Sequence, residues 1–199
     1  MNLNEGSGLR GREQFGRFKK YILFLVKMYS LFPMKIRVIL FEQSRNLRGK
    51  IGLGIRYALL KSISFRCGDN VAIYPGVYIF HPQNLSVGNN VSIHPMCYIE
   101  CGIIPEGVYI GDDVSMAHGT TVMASSHTYT DINEKIKNQE VVYKNVQIGD
   151  DVWIGAKATV LAGTTVASGC VIGANSVVTK DTEEKGVYVG APAKRIKSR

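Results

Sequence analysis

The sequence predicts an all-β solenoid, in which short parallel strands wind into a triangular prism. The main evidence is the segment from Val146 to Asp181, which divides into six hexapeptides: VQIGDD, VWIGAK, ATVLAG, TTVASG, CVIGAN and SVVTKD. The third residue of every hexapeptide is aliphatic, and Gly follows three of these residues. A period of six fits neither an α-helix nor a hairpin sheet, but it is typical of a parallel β-helix in which three hexapeptides close one coil.

The same six-residue phase returns upstream, with a change of register at each gap. The inward positions there are expected to be Ile73, Ile79, Val87, Ile93, Ile99, Ile110, Met116 and Val122. In such a coil the central aliphatic residue of each short strand points into the core, and Gly, Asn or Asp takes the corner positions that need positive φ. Residues 67–181 are therefore expected to form one prism.

Two insertions interrupt the predicted prism. The shorter one, from Cys101 to Gly107, contains Pro105 and is expected to form a corner loop. The longer one, residues 125–145, is polar and charged and predicts a long extruded loop. Insertions on one face of a solenoid often build the binding surface, so this loop is expected near the functional site. Residues 182–199 are expected to leave the repeat and form a basic tail after the VGAPA turn.

Residues 1–66 precede the repeat and are expected to be mainly helical. After a Gly-rich polar tail at residues 1–12, a first helix is expected from Glu13 to Leu31, because Pro33 disfavours a helical residue before it. Pro33 can begin a second helix, from Met34 to Leu47. Residues 51–66 fit either a third short helix or an atypical first coil. Since an open prism end is an unpaired sheet edge, covering that edge is the simplest role for this segment.

Charge is distributed unevenly along the chain. The net charge is +8, and residues 1–66 hold 14 Lys and Arg against 3 acidic residues, whereas the remaining residues hold 10 against 13. The apolar run from Tyr21 to Val26 follows a long polar leader and is interrupted by Lys27, so it predicts neither a secretory signal nor a span of ~20 apolar residues. We expect a cytoplasmic protein without a nucleic-acid partner.

The four cysteines are expected to be reduced and buried. They do not form a C-x-x-C pattern, and Cys97 and Cys170 each stand two places before an inward aliphatic residue, where small side chains fit. Free Cys behaves as a small apolar residue in a reducing compartment. A disulfide or a metal pair formed by Cys97 and Cys101 is the alternative.

Three longer motifs make the comparison with known proteins specific: IGDDVWIG, IGANSVVTKD and VYVGAPAKRI. From about Cys67 to Ile196 the chain resembles the hexapeptide-repeat acyltransferases, and most closely the maltose, galactoside and polysaccharide O-acetyltransferases. The resemblance implies a left-handed parallel β-helix, although crossovers in ordinary sheets are right-handed. It also implies a homotrimer that binds acetyl-CoA, as a co-substrate, between its subunits.

Acetyl transfer from a thioester to a hydroxyl needs a base that takes the hydroxyl proton. His suits this role because its ordinary pKa is about 6.5. Among the four His residues, His127 stands where the repeat ends and the long loop begins, in VMASSHTYT. The catalytic His of the related sugar acetyltransferases occupies this place, so the resemblance implies that His127 is the general base. A surface His at the root of a loop is the alternative.

The resemblance also implies contact with the acceptor for two residues. His94, in VSIHPM, aligns with a position that contacts the acceptor in the sugar acetyltransferases, where Asn is common. Glu100 follows six residues later and is suited to bond a sugar hydroxyl or to orient an imidazole. Both residues fit a solvated corner equally well. His81 and His118 are expected to be structural.

Seven further residues are implied to bind the acetyl-CoA donor by their places in the family motifs. They are Trp153, Ala156, Ala174, Thr179, Lys180, Lys194 and Lys197. The contribution of Ala156 is expected from its backbone N–H, and the two tail lysines suit phosphate by their charge. Alternatively, Trp153 is an aromatic residue that fills an intersubunit groove, and the two lysines belong to a solvated terminus.

A zinc site is an alternative chemistry on the same scaffold, because γ-type carbonic anhydrases hold zinc on three His between the subunits of a β-helix. Such ligands would recur at the spacing of one coil or lie together in one corner. The four His of this chain are 13, 24 and 9 residues apart, which fits neither arrangement. No metal is therefore expected.

The leading hypothesis is an acetyl-CoA-dependent O-acetyltransferase that acts on the hydroxyl of a sugar or glycolipid, in surface polysaccharide or glycoconjugate biosynthesis. No acyl-enzyme is expected, because no Ser or Cys stands beside a base in a nucleophile motif. One alternative is an N-acetyltransferase of an amino or nucleotide-linked sugar, since loops rather than the prism select the acceptor. Another is a non-catalytic trimeric scaffold.

The N-terminal segment allows two interpretations. Residues 15–41 combine apolar faces with the basic charge of the chain, a pattern that is typical of helices lying on a membrane surface. Peripheral contact with an anionic membrane is one possibility. Burial of these faces on the coil or on a neighbouring subunit is the other.

Overall fold

The computed structural model describes residues 11–199, with side chains from residue 15 onward. The helices are α1 (Gly11–Ser30), α2 (Met34–Gln43) and α3 (Gly49–Ile63), and 3₁₀ turns lie at Ser44–Asn46, Pro82–Asn84 and Ile136–Asn138. Residues 1–10 of the predicted tail lie outside the described residues, and residues 11 and 12 already belong to α1. Within residues 11–199, no helix has the length and apolar character needed to cross a membrane.

The rest of the chain winds into five coils, and each coil contributes one short strand to each of three sheets. Sheet A contains β1 (Arg66–Cys67), β4 (Leu85–Val87), β7 (Val108–Ile110), β12 (Val146–Ile148) and β15 (Thr165–Val166). Sheet B contains β2 (Ala72–Ile73), β5 (Ser92–Ile93), β8 (Ser115–Met116), β13 (Trp153–Ile154), β16 (Val171–Ile172), β18 (Gly186–Val189) and β19 (Lys194–Ser198). Sheet C contains β3 (Tyr78–Phe80), β6 (Tyr98–Glu100), β9 (Thr121–Met123), β14 (Thr159–Val160) and β17 (Val177–Val178).

The aliphatic residues predicted to point inward form three columns in the core of the prism. In sheet B, for example, Ile73 pairs with Ile93, Ile93 with Met116, Met116 with Ile154, and Ile154 with Ile172. All fourteen predicted inward residues are at most 4% exposed. The predicted fold class, a parallel β-helix with N-terminal helices and a long extruded loop, is confirmed.

Corner positions follow the predicted turn chemistry with a few exceptions. Asn70, Asn90 and Asn175 each have φ of 57°, in the left-handed region that Asn tolerates better than most residues. Lys157 and Met96 adopt the same conformation, with φ of 58° and 62°. At the Lys157 corner, the Lys157 amide donates a hydrogen bond to the carbonyl of His118 in the preceding coil, over 3.0 Å.

Helix α3 covers the open edge of the first coil with side-chain donors. The buried guanidinium of Arg56 donates to the carbonyl of Ile73, over 2.8 Å, and to those of Ser44 and Leu47, over 3.0 and 2.6 Å. The hydroxyl of Tyr57 donates to the carbonyl of Gly68 over 2.9 Å. The carbonyls of Ile73 and Gly68 belong to the first coil, so α3 supplies bonds there that a further coil would otherwise make, whereas those of Ser44 and Leu47 belong to the turn between α2 and α3.

The third helix resolves the ambiguity of residues 51–66 and shortens the predicted second helix. Helix α3 buries Leu59, Leu60 and Ile63 on the core. Helix α2 ends at Gln43 rather than Leu47, because Arg56 binds the carbonyls of the following turn and Ser44 folds its hydroxyl back to the carbonyl of Phe41. The predicted end of the second helix was therefore wrong by about one turn.

Helix α1 has two apolar faces, and only one of them is covered. Phe15, Ile22 and Tyr29 pack against the core cluster. On another side of the helix, Tyr21 and Phe24 are 73% and 69% exposed. The structure thus supports burial for one face and leaves a second apolar face in contact with solvent.

The insertions and the tail extend the prism. The long insertion leaves the prism after β9 and folds back as an antiparallel hairpin of β10 (Ser125–His127) and β11 (Val141–Tyr143). Contrary to expectation, the chain does not leave the stack at residue 182. Strand β18 pairs in parallel with β16, and Tyr188 lies inside the prism above Ile172. The four cysteines are free thiols, and three of them, Cys97, Cys101 and Cys170, are fully buried.

Replacing Arg56 by Met should lower the free energy of unfolding by about 1–3 kcal/mol, because the carbonyl of Ile73 would remain buried without its donor. Chemical denaturation at a fixed protein concentration measures this change. The exposed Arg48→Met is the matched control and should leave the denaturation midpoint unchanged. Equal midpoints for the two variants would show that α3 covers the edge by packing alone.

Candidate active site

The coils align the predicted site residues in columns along two corners of the prism. The corner between sheets B and C, here called the B–C corner, is formed by the residues that follow each sheet B strand. Hydrogen bonds between successive coils hold this corner together; the His94 amide, for example, donates to the carbonyl of Met116 over 3.0 Å. The residues of the corner form one column: Tyr74, His94, Ala117, Gly155 and Gly173. The C–A corner is formed likewise by the residues that end the sheet C strands and those that follow them.

Four predicted site residues lie at the C–A corner. Glu100 ends β6 and pairs with Met123, four residues before His127. Thr179 and Lys180 follow β17, three coils after β6, and both are exposed. The C–A corner therefore holds Glu100, His127, Thr179 and Lys180.

His127 is exposed and ends β10, the first strand of the extruded hairpin. Its backbone pairs with Val141 on the returning strand, so the hairpin fixes the root of the side chain. The hairpin is anchored on the prism because the Ala124 amide donates to the carbonyl of Glu100, over 2.9 Å, and the Lys144 amide donates to the carbonyl of Ala124, over 2.9 Å. The imidazole thus projects into solvent from a position that two backbone hydrogen bonds define.

Glu100 is the one predicted site residue with a buried unpaired oxygen. Its Oε1 accepts a hydrogen bond from the Gly102 amide over 2.7 Å. Its Oε2 is buried and has no hydrogen-bond partner within residues 11–199. Because buried carboxylate oxygens are normally satisfied, this oxygen is available to a donor that is not part of the described chain.

The other predicted site residues lie on sheet B and at the B–C corner. Trp153 pairs with Val171, Val171 with Val187, and Val187 with Lys197, so these residues form one outward ladder. Neighbouring strands are about 4.8 Å apart, which places the Cα atoms of Trp153 and Lys197 ~14 Å from each other. Trp153 is 54% exposed.

A β-bulge between β18 and β19 brings the two tail lysines to the same face. Val187 pairs with Lys197 and Val189 with Lys194, so Ile196 is the extra residue. Without the bulge, residues three apart on a strand would point to opposite faces. Lys194 and Lys197 therefore extend the outward ladder, whereas Arg195 points the other way and pairs with Glu183.

His94, Ala156 and Ala174 lie along the B–C corner. The ring of His94 stacks on that of Tyr74, with the centroids 4.9 Å apart. The carbonyl of Ala156 accepts a hydrogen bond from the Asn175 amide over 2.9 Å, which ties it to the coil of Ala174. His94 and Glu100 begin and end the same side of the prism, and the structure does not bring them together.

The predicted site residues therefore fall into two groups, here called half-sites, on the two sides of sheet C. The C–A half-site has Glu100 and His127 together with Thr179 and Lys180, which were predicted to bind the donor, and the B half-site has His94, Trp153, Ala156, Ala174, Lys194 and Lys197. Within residues 11–199, no group of His, Cys, Asp and Glu is arranged to hold a metal ion. Burial raises the pKa values of the Cys97 and Cys101 thiols, so these residues stay neutral and are poor nucleophiles.

The family of the protein follows from its relatives. Residues 145–180 match the model for the bacterial transferase hexapeptide (six repeats). The galactoside O-acetyltransferase of Escherichia coli (strain K12) is 32% identical over 143 residues, which cover 71% of this chain and 68% of that protein. The chain belongs to the hexapeptide-repeat acetyltransferases. A probable acetyltransferase of Mycobacterium tuberculosis is 42% identical over 92 residues, which cover 46% of this chain and only 31% of that protein.

Solved structures agree with this assignment at the level of the fold. The hexapeptide-repeat-containing acetyltransferase of Vibrio cholerae O1 biovar eltor, solved in complex with acetyl coenzyme A, superposes with a TM-score of 0.68 and 24% identity. The superposition covers 81% of this chain and 84% of that chain. The predicted family and enzyme class are thus confirmed.

This hexapeptide-repeat acetyltransferase has an aromatic cluster beside Glu100 that the sequence analysis missed. On the outer face of sheet C the rings of Tyr78 and Tyr98 stack at 5.7 Å, and Phe80 packs against both. The guanidinium of Arg45 lies 3.7 Å above the Tyr78 ring. The signal was present, because Tyr78 and Tyr98 each stand one place before an inward Ile, at an outward position of their strands.

Proposed function

We propose that this protein is an acetyl-CoA-dependent O-acetyltransferase that acts on a sugar hydroxyl in surface polysaccharide or glycoconjugate biosynthesis. The observation that carries the proposal is the exposed imidazole of His127, held at the root of the extruded hairpin of an acetyltransferase. A base in this position is open to an acceptor and is not engaged by any carboxylate of the described chain within ion-pair distance. The 32% identity to a galactoside O-acetyltransferase supports a sugar acceptor.

The proposed reaction is a direct transfer. His127 takes the proton of the acceptor hydroxyl while the oxygen attacks the thioester carbonyl, and a tetrahedral oxyanion forms. The amide of Ala156 donates to this oxyanion. The C–S bond then breaks, the acetyl ester is released, and the coenzyme A sulfur takes the proton from His127. The neutral, buried state of Cys97 and Cys101 supports a path without an acyl-enzyme.

A homotrimer would complete the site. The base lies on the C–A corner, whereas Trp153, Ala156 and the tail lysines lie on sheet B and the B–C corner. In a closed ring of three prisms, one surface of each subunit meets a different surface of the next, so the C–A half-site of one copy can face the B half-site of its neighbour. The division of the predicted residues into two half-sites supports this assembly.

Acetyl-CoA is proposed to lie along the outward ladder of sheet B. The ladder is ~14 Å long between the Cα atoms of Trp153 and Lys197. An extended coenzyme can therefore have its thioester near Ala156 and its phosphates near Lys194 and Lys197. The acetyl coenzyme A bound to the related protein of Vibrio cholerae supports this co-substrate.

His127→Ala should lower kcat by ~10²–10⁴-fold with little change in acetyl-CoA affinity, as expected for the loss of a general base. A thiol-release assay with acetyl-CoA against sugars, lipid-linked sugars and amino sugars measures the change. Ser126→Ala, on the neighbouring position of the same strand, is the control and should keep full activity.

Both variants should keep the mass of a trimer in light scattering, so that the loss reports on the base and not on assembly. Unchanged kcat in His127→Ala would remove this residue from the mechanism. Preference for amino sugars would favour N-acetylation instead, and an absence of thiol release with every acceptor would favour the scaffold hypothesis.

Replacing both Lys194 and Lys197 by Ala should raise KM for acetyl-CoA about tenfold or more, because two charge-assisted contacts to phosphate are lost. The KM for a donor without the 3′-phosphate should change much less. Lys135→Ala with Lys137→Ala, on the extruded loop, removes the same charge elsewhere and is the control. Equal losses for the two donors would place the lysines outside the phosphate site.

We also propose that the enzyme is cytoplasmic and makes peripheral contact with an anionic membrane through α1 and α2. The exposed apolar residues of α1 and of the turn that follows it include Tyr21, Phe24 and Leu31, which are 73%, 69% and 85% exposed. Two exposed basic residues of α1, Lys20 and Lys27, are close to these residues in sequence. An apolar face with interspersed positive charge is suited to a bilayer surface, where each basic residue contributes up to ~1 kcal/mol.

The protein should co-sediment with anionic vesicles but not with neutral ones, and added salt should weaken the binding. Phe24→Ser with Leu31→Ser should reduce the bound fraction at least fivefold, because two exposed side chains lose their contact with lipid. Ile132→Ser is the matched control, since Ile132 is 93% exposed on the extruded loop. Sedimentation with neither kind of vesicle would contradict this proposal.

A further inference from the structure

An apolar cleft of about 540 Å³ lies between α1, α3 and the first coil. Helix α1 contributes aromatic and aliphatic side chains, α3 contributes its outer face, and sheet B contributes the outward side of β2. The lining includes Phe18, Ile22, Leu25, Gly54, Ala72 and Tyr74. A concave surface of this size with mainly apolar lining residues is suited to an apolar ligand.

The mouth of the cleft belongs to the surface that is proposed to meet the membrane. Phe18, Tyr21 and Ile51 line the cleft and are 51%, 73% and 80% exposed. Lys50, which is also exposed, lies at the same opening. A ligand in this position would have an apolar part in the cleft and a negatively charged part beside Lys50. A lipid with an anionic head group has both parts.

The cleft adjoins the B half-site through Tyr74. Tyr74 lines the cleft, and its ring stacks on that of His94, the residue predicted to contact the acceptor. The same B–C corner continues from His94 through Ala117 to Gly155, which precedes Ala156. Two steps between neighbouring coils amount to ~10 Å. The cleft, His94 and the amide proposed to bind the oxyanion thus follow one another along a single corner.

We infer that this cleft binds the hydrocarbon chain of the acceptor, and that the acceptor is a sugar joined to a lipid through phosphate. The inference rests on the proposed function, because it names the acceptor class of the same site. The chain lies between α1 and α3, the phosphate lies near Lys50, and the sugar lies beyond Tyr74 at His94. Docking of the helices on a membrane would bring the mouth of the cleft to the layer that holds such lipids.

Dodecyl phosphate, below its critical micelle concentration, is the probe for this site, and calorimetry measures its binding to the full chain without an acetyl donor. Gly54→Leu should weaken binding at least tenfold and Gly54→Ala should weaken it less, because the new side chain occupies the cleft. No atom lies within 4 Å of a Cβ added at Gly54, and Leu favours a helix more than Gly does, so the variant should fold.

Gly16→Leu is the matched control, since Gly16 lies in α1, lines no part of the cleft and also has no atom within 4 Å of an added Cβ. It should bind dodecyl phosphate as the unmodified protein does, and inorganic phosphate should bind far more weakly. Equal affinities for the two phosphates, or equal binding by Gly54→Leu, would overturn the inference.

A second copy of the chain is the other candidate occupant of the cleft. A changed assembly mass in Gly54→Leu, together with no binding of dodecyl phosphate to the unmodified protein, would assign the cleft to that contact and overturn the inference. Thiol release with a sugar that carries no lipid should be the same in Gly54→Leu and the unmodified protein. The acetyl transfer itself is therefore tested separately from the lipid site.

Discussion

The hydrogen bonds between successive coils are the constraint on which the rest of the structure depends. Each strand has only two or three residues in most coils, so a strand is held by the coil before it and the coil after it. This arrangement keeps every outward side chain about 4.8 Å from its equivalent in the next coil. Residues that are far apart in sequence, such as Trp153 and Lys197, therefore lie on one straight ladder.

The same constraint leaves an open edge at each end of the stack, and the two ends are closed by different means. At the start, Arg56 and Tyr57 of α3 donate to edge carbonyls. At the end, β19 turns back on β18, and Arg199 forms an ion pair with Asp151 at 2.6 Å. Each of the two closing segments also carries positive charge for a different proposed ligand. Helix α3 carries Lys50 for the lipid phosphate, and β19 carries Lys194 and Lys197 for the coenzyme phosphates.

The division of the predicted site residues into two half-sites gives a physical reason for the trimer that we propose. A rigid prism cannot bend to bring the C–A corner onto sheet B, because the sheets are stacked around a filled core. A second copy can present its own corner to that sheet without any deformation. In the proposed trimer, the extruded hairpin, which is anchored to Glu100 and Ala124 by backbone hydrogen bonds, would hold His127 at the boundary between copies.

The hexapeptide period by itself determined the coil and the inward columns, because a parallel β-helix buries the aliphatic residue at the third position of each hexapeptide, and the longer motifs indicated the family. The family motifs likewise determined which residues to consider for the site. Only the tertiary structure decided that the tail lysines share a face, since this depends on the bulge at Ile196. It also decided that α2 ends at Gln43, that β18 continues the stack and that a cleft adjoins His94. These features arise from contacts between segments far apart in sequence, and a local pattern carries no information about them.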